Sequence, residues 1–137
     1  CGWKKAESPY VAYIDDDTLV PPTWIPRALK ISTDLKASVF GGPFYPFYLT
    51  EKPAWFSDRY GTRTLGSQSK FLSEGEPYLS GGNVVFQRSV LAEAGGFHTH
   101  LGMKGKRIGY GEESDLQRRI RRMDPQAGLY YDSSLFL

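Results

Sequence analysis

The sequence predicts an α/β domain with a mostly parallel sheet flanked by helices, and three observations carry that prediction. Tyr10-Val11-Ala12-Tyr13-Ile14 is an apolar run rich in β-branched and aromatic residues, the composition of a buried strand. Trp24, Ala28, Ile31 and Leu35 recur at i, i+4, i+7 and i+11, an amphipathic helix that runs to about Lys36. Residues 37–40 then form a short apolar stretch stopped by Gly41-Gly42-Pro43. Strand, helix and strand at this spacing make a βαβ unit, which predicts neighbouring parallel strands.

The remaining elements follow from local chemistry. Residues 2–8 are polar, with Trp3 and Ala6 at helical spacing, and Pro9 closes what reads as the end of a helix. Thr23 is an N-cap candidate for the amphipathic helix, and Pro26 falls in its first turn, where a missing N–H does little harm. Residues 43–77 have no clean period and mix Phe44, Tyr45, Phe47, Tyr48, Trp55 and Phe56 with Gly, Pro and charge. So long an irregular connection is unusual inside a compact domain and is often functional, so it is expected to pass over one face of the sheet. Leu79-Ser80-Gly81-Gly82-Asn83 leads into a strand, Val84-Val85-Phe86, through a glycine pair that lets backbone approach a ligand or makes a bulge. Residues 88–94 read as a short helix with Gly95-Gly96 as its stop. The next loop, 97–110, holds both histidines, His98 and His100, with Lys104, Lys106 and Arg107. No cysteine or third histidine accompanies the pair, so both are read as solvated loop residues rather than zinc ligands. Gly109-Tyr110-Gly111 introduces Glu112-Glu113-Ser114-Asp115 and a helix through Met123 with an apolar stripe of Leu116, Ile120 and Met123. Its acids lie first and its arginines last, matching the helix dipole. Residues 128–131 read as one more strand.

With 137 residues the chain has room for one domain and one core, and 40% hydrophobic with 23% charged residues describes a globular chain rather than a disordered one. A net charge of +2 argues against a nucleic-acid partner. No apolar run approaches the roughly 20 residues that span a bilayer. The single cysteine, Cys1, excludes an internal disulfide and suits a reducing compartment, so a cytoplasmic location is expected. The aromatic share of 15% suits a sugar or nucleotide site as well as a core. The chain opens without Met and reads as a piece of something longer.

Asp15, Asp16 and Asp17 close the first strand. Ligands of open α/β sheets bind beyond the carboxyl ends of the strands. Neighbouring carboxylates disfavour one another's charge unless a cation intervenes, and Asp oxygens suit Mg²⁺ or Mn²⁺ shared with substrate phosphates. A metal–phosphate site is one reading, and an Asx-rich turn is the other.

Tyr13-Ile14-Asp15-Asp16-Asp17, followed by Leu19, Pro21-Pro22 and Trp24-Ile25, resembles the metal-binding DXD region of family 2 glycosyltransferases. The ordered set Ser80-Gly81-Gly82-Asn83, Arg88-Ser89, Gly95-Gly96-Phe97, Leu101-Gly102 and Gly111-Glu112-Glu113-Ser114-Asp115-Leu116 with Arg118 is similar to that family's second half. Gly41-Gly42-Pro43 and Lys52-Pro53-Ala54-Trp55 fit between them, so the resemblance spans nearly the whole chain. It implies a partial GT-A fold over residues 1–137, with a DXD region at 10–42, an aromatic loop at 43–77 and an acceptor and catalytic region at 78–137. The N-terminal nucleotide-binding half would be missing. The implied activity is a metal-dependent, inverting transfer from a nucleotide-diphosphate sugar, a UDP- or GDP-sugar, to a hydroxyl of a glycan, lipid-linked or small-molecule acceptor, with Mn²⁺ or Mg²⁺ as cofactor.

Carried over by position, Asp15 and Asp17 are the outer acids of the DXD, Asp17 being the direct metal ligand with Asp15 beside it. Asp15 or Asp16 reaches the donor's ribose or sugar. Glu113 is the implied catalytic base. It stands where the family usually has Asp, which leaves Glu112 or Asp115 as substitutes. Trp55, Gly81, Gly82 and Asn83 are candidates for acceptor contact, and loop 97–110 has the glycines and basic residues of a lid over phosphates. Family members often carry membrane segments elsewhere, so a place at the cytoplasmic face of a membrane is expected. A truncated sheet would expose a strand edge, so pairing between copies is expected too.

The chemistry needs the same parts. A leaving diphosphate calls for a Lewis acid, and an attacking hydroxyl calls for a carboxylate base. Both must be aligned on the anomeric carbon, and a single base acting in one displacement gives inversion. Two rival readings compete. Ile14-Asp15-Asp16-Asp17-Thr18-Leu19 also fits the nucleophile motif of haloacid-dehalogenase-like phosphatases. A non-catalytic sugar- or nucleotide-binding module is the second.

Overall fold

A computed structural model describes residues 2–102 and 109–137. Its strands are β1 (Tyr10–Ile14), β2 (Val39–Gly41), β3 (Lys70–Phe71), β4 (Asn83–Gln87) and β5 (Leu129–Tyr131); its α-helices are α1 (Trp24–Asp34), α2 (Arg88–Glu93) and α3 (Glu112–Met123). One sheet contains all five strands in the order β1-β4-β2-β5-β3. Residues 2–8, expected as a helix end, hold only a short 3₁₀ turn over Gly2–Lys5.

The βαβ unit is present, but its strands are not neighbours. β4 inserts between β1 and β2 and is antiparallel to both, while β2 pairs parallel with β5 and β3 pairs antiparallel with β5. Strands β1, β2 and β5 therefore point the same way within a mixed sheet, and among the described residues only the β2–β5 contact is parallel. The reason lies in β4 itself. Asn83, Val84, Val85 and Phe86 are all buried, so this strand is covered on both faces and belongs at the centre, with both of its edges paired.

Side chains alternate across the sheet with a period of two. Val39, Val84, Phe86, Leu129 and Tyr131 join a core closed by Leu91 of α2 and by Leu116 and Ile120 of α3. Phe40 and Val85 point the other way, into a second core with Trp24, Ala28 and Ile31 of α1. The result is three layers, with α1 on one face and α2 and α3 on the other. The excursion over residues 43–77 contains a 3₁₀ turn (Asp58–Tyr60), β3 and a bridge between Phe44 and Arg63. Among the described residues no helix is long and apolar enough to cross a membrane.

Candidate active site

The site forms at the end of β1, where sequence-distant segments meet for identifiable reasons. Ile14 faces Asn83 in the last rung of the β1–β4 pairing, so Asp15 and Gly82 leave the sheet side by side. A Cβ on Gly82 would lie 2.5 Å from Asp15 Oδ2. Helix α3 is fixed against the same segment by Gln117, which is fully buried. Its Nε2 donates to the Leu79 carbonyl and its Oε1 accepts from the Leu79 N–H, both at 2.9 Å, so one side chain imitates a rung of sheet. Glu113 precedes Gln117 by one helical turn and shares its face. It therefore falls against Gly81, where a Cβ would lie 2.1 Å from Glu113 Oε1. Each glycine leaves the space that one carboxylate occupies.

Electrostatics follow from this crowding. Burial pushes the Glu113 carboxyl above its ordinary value, its own backbone N–H pulls the other way, and the charges of Glu112 and Asp15 push it up further. Among the described residues, Glu112 Oε2 and the Tyr13 hydroxyl are buried without a hydrogen-bond partner. Both residues border one cavity of about 310 Å³, shared with Asp15, Gly81 and Glu113. Unpaired polar atoms of this kind are costly unless a ligand or water completes them. Asp17 joins Asp15 in a second cavity of about 330 Å³ whose walls include Phe44, Tyr45 and Phe47. A third, of about 590 Å³, lies beyond Glu113 and is bordered by Tyr78, Ser80, Gly81 and Tyr110. Asp15 and Glu113 are thus partitions between adjoining spaces.

Not every expected site residue is in this arrangement. Asp16 is exposed in the turn after β1 and borders none of the three cavities. Trp55 is 79% exposed, packs edge-on to Phe56 and borders none of them either. Asn83 is turned into the core rather than toward an acceptor. Its Oδ1 accepts from Trp24 Nε1 at 3.0 Å, and its Nδ2 donates to the carbonyls of Pro43 at 3.0 Å and Leu135 at 2.6 Å. Asp115 is likewise committed, accepting from Arg119 Nε at 2.9 Å with His98 Nδ1 at 3.0 Å. Burial alone would raise its carboxyl, but Arg119 and the neighbouring cations hold it below the usual range. Its carboxylate is thus engaged in holding α3 to its surroundings. His98 is therefore engaged rather than merely solvated, and it stacks on His100 with centroids 4.9 Å apart. The cationic part of the expected lid, Lys104, Lys106 and Arg107, lies outside the described residues, as does Cys1.

Three functional supports escaped sequence reasoning. Gln117 is one, and its signal was a polar residue one turn after a candidate base. Arg119 is another: it also donates to the carbonyls of Ala94 and Gly96, the latter at 2.7 Å, whereas Arg118 is exposed. The third is Asp132, which follows β5 as Asp15 follows β1. It is fully buried and takes Arg27 Nη2 at 2.6 Å and the Ser134 N–H at 2.8 Å. Among the described residues no three His, Cys, Asp or Glu side chains are arranged to hold a metal by themselves. Asp15 and Asp17 do share a cavity, and one or two carboxylates are what Mg²⁺ takes when substrate phosphates supply other ligands.

Comparison with known proteins points to one chemistry. Residues 1–95 match glycosyl transferase family 2, a span that contains β1, α1, β2 and β4, while α3 lies beyond it. The chain is 28% identical over 123 residues to the glucosyl-dolichyl phosphate glucuronosyltransferase of Haloferax volcanii, an alignment covering 88% of this chain and 39% of that protein. It thus spans about two fifths of that relative's length. No solved structure gives a significant match. Neither the family nor the relative is a phosphatase.

Proposed function

This chain belongs to glycosyl transferase family 2, and from that membership we propose that it moves a sugar from a nucleotide-diphosphate donor to an acceptor hydroxyl with inversion. Glu113 is the general base in this reading, and a divalent cation, Mn²⁺ or Mg²⁺, is held at Asp15 and Asp17. The observation that carries it is the position of Glu113 on the partition between the cavity bordered by Asp15 and Glu112 and the larger one beyond. A base must stand there if the acceptor enters from one side and the donor's anomeric carbon lies on the other.

The acceptor oxygen forms a bond to the anomeric carbon as the bond from that carbon to the diphosphate oxygen breaks. The electron pair leaves with the diphosphate, and the hydroxyl proton passes to Glu113. Crowding by burial, Glu112 and Asp15 raises the proton affinity of Glu113, which moves a carboxylate toward the range a base needs near neutral pH. The unpaired Glu112 Oε2 and Tyr13 hydroxyl give hydroxyls of the donor sugar partners in the 310 Å³ cavity. When bound, the cation supplies Lewis-acid stabilisation of the departing diphosphate. UDP- and GDP-sugars are the donors to test. The relative's printed name, glucosyl-dolichyl phosphate glucuronosyltransferase, supports a sugar hydroxyl on a lipid-linked acceptor and hence a place at a membrane surface, which we take to be the cytoplasmic face.

Calorimetric titration of Mn²⁺ with and without UDP, on this protein and on Asp17→Asn, tests the reading. Binding of Mn²⁺ that depends on UDP and is lost in the variant is expected. Mn²⁺ and UDP binding that Asp17→Asn leaves intact would remove the diphosphate–metal assignment. Ligand affinity that survives neutralising both Asp17 and Glu113 would instead favour a non-catalytic binding module.

A further inference from the structure

Among the described residues, the 590 Å³ cavity beyond Glu113 is bordered by one cation, Arg63, and no other Lys or Arg borders any of the three cavities around Asp15 and Glu113. Its backbone is clamped on both sides: Arg63 N–H donates to the Phe44 carbonyl and Phe44 N–H to the Arg63 carbonyl, each at 3.0 Å. The next residue is tied down as well. Thr64 Oγ1 shares a hydrogen bond of 2.9 Å with the Tyr131 hydroxyl, which donates to the Gly66 carbonyl at 2.9 Å. The root of the arginine is therefore rigid, yet among the described residues its guanidinium has no carboxylate partner. Arg27 and Arg119, by contrast, are consumed by Asp132 and Asp115.

An arginine on a clamped backbone at the border of a ligand-sized cavity, with no carboxylate partner among the described residues, is a receptor for a planar or tetrahedral oxyanion, which a guanidinium grips with two parallel donors. Tyr78, Tyr110 and Leu65 supply aromatic and apolar walls of the kind a sugar ring packs on, and the volume falls within the range of small-molecule sites. Resting on the transferase reading above, we propose that the acceptor is an anionic glycoside: one sugar hydroxyl meets Glu113 while a phosphate or carboxylate group of the same molecule pairs with Arg63. Arg63 is then the residue that selects charged acceptors over neutral ones.

The test is calorimetry, in the presence of UDP and Mn²⁺, with three ligands that differ in charge: octyl β-glucoside, the phosphodiester of glucose and octanol, and octyl β-glucuronide. Each is titrated into the protein and into Arg63→Gln and Arg63→Lys, whose thermal unfolding is checked in parallel. At least one charged ligand is expected to bind about tenfold tighter than the neutral one, a preference abolished by Arg63→Gln and partly kept by Arg63→Lys. Preference for the phosphodiester alone assigns a phosphate, and preference for the glucuronide alone assigns a carboxylate on the sugar. Equal binding of all three, a preference that survives Arg63→Gln, or no binding of any overturns the proposal. The Mn²⁺–UDP signal and its loss in Asp17→Asn are read on the same preparation. If that signal is intact, only the assignment of Arg63 falls; if it is absent as well, the diphosphate–metal assignment falls with it.

Discussion

As the proposed base, Glu113 is placed where function would gain and the fold loses. Its folded pKa is raised above the ordinary 4.5, first by burial and then by Glu112 and Asp15. The folded protein therefore holds this proton more tightly than the unfolded chain does, and stability falls as pH rises through the window above 4.5. Glu113→Gln removes that charge at every pH. Its melting temperature should match the wild type below pH 4 and exceed it at pH 7, measured by thermal denaturation across a pH series. Turnover should fall about a hundredfold or more, the usual contribution of a positioned base. The acid limb of the wild-type pH–rate profile should lie above that of a free glutamate. An unchanged melting temperature together with unchanged turnover would remove Glu113 from the site. Gly81→Ala probes the same spot from the backbone. The new Cβ would meet Glu113 Oε1 at 2.1 Å, Cγ at 2.5 Å and the carboxyl carbon at 2.6 Å, all atoms of one flexible side chain. The fold can yield by swinging the carboxylate aside, but a reaction that uses Glu113 as its base cannot, because an ångström of misplacement costs on the order of a hundredfold. Near-normal stability with turnover down by that factor is expected, and normal turnover would mean that the carboxylate position is not critical. Asp15, Glu113 and the glycine pair were legible in the sequence because their residue types declare charge and the absence of a side chain. The engagement of Asn83 and Asp115 was not, since it depends on which distant groups arrive beside them: the Leu135 carbonyl and Trp24 for one, Arg119 and His98 for the other.

At the scale of elements, α3 works as a lever whose fulcrum is Gln117. Its two hydrogen bonds to the Leu79 backbone set the height at which Glu113 meets Gly81. Gln117→Leu keeps the volume near and removes both partners, leaving a buried N–H and C=O unpaired at about 1–3 kcal/mol each. Denaturant unfolding should show a loss in that range or somewhat above it. Wild-type stability in the variant would mean that the pairing is not what fixes the helix. Helices α1 and α3 were legible because apolar residues recur at helical spacing and glycine, proline or acids mark their ends. The β4 segment was legible as an apolar run. The excursion over 43–77 was not, because side-chain contacts from far away order it rather than any period of its own. Tyr131 holds Thr64 and Gly66, Ser133 accepts or donates to Ser69 at 3.1 Å, and Arg121 donates to the Leu72 carbonyl at 2.8 Å.

At the scale of the whole molecule, what stayed hidden was the order of the strands. Connection length predicts that β1 and β2 run the same way, and they do. It says nothing about a third strand arriving later and taking the place between them, which the burial of β4 on both faces favours. Among the described residues, that insertion leaves β1 at the rim. Among the described residues β1 pairs only with β4, so five residues present one unpaired backbone edge, whereas the opposite rim, β3, is two residues long. An edge of this length with Val11 and Tyr13 in it and no Lys, Pro or bulge is a template for another strand. Copies of this 137-residue chain, taken by itself, should therefore associate through β1. Light scattering over a concentration series should give a mass rising from 15.4 kDa toward twice that value. Ala12 is exposed in the middle of the strand, so Ala12→Lys puts a charge there at little cost to the fold and sets two like charges near each other in a paired edge. The variant should stay at the monomer mass across the same series. A wild-type mass that never departs from 15.4 kDa would show that the β1 rim is protected by its own twist and shortness rather than by a partner.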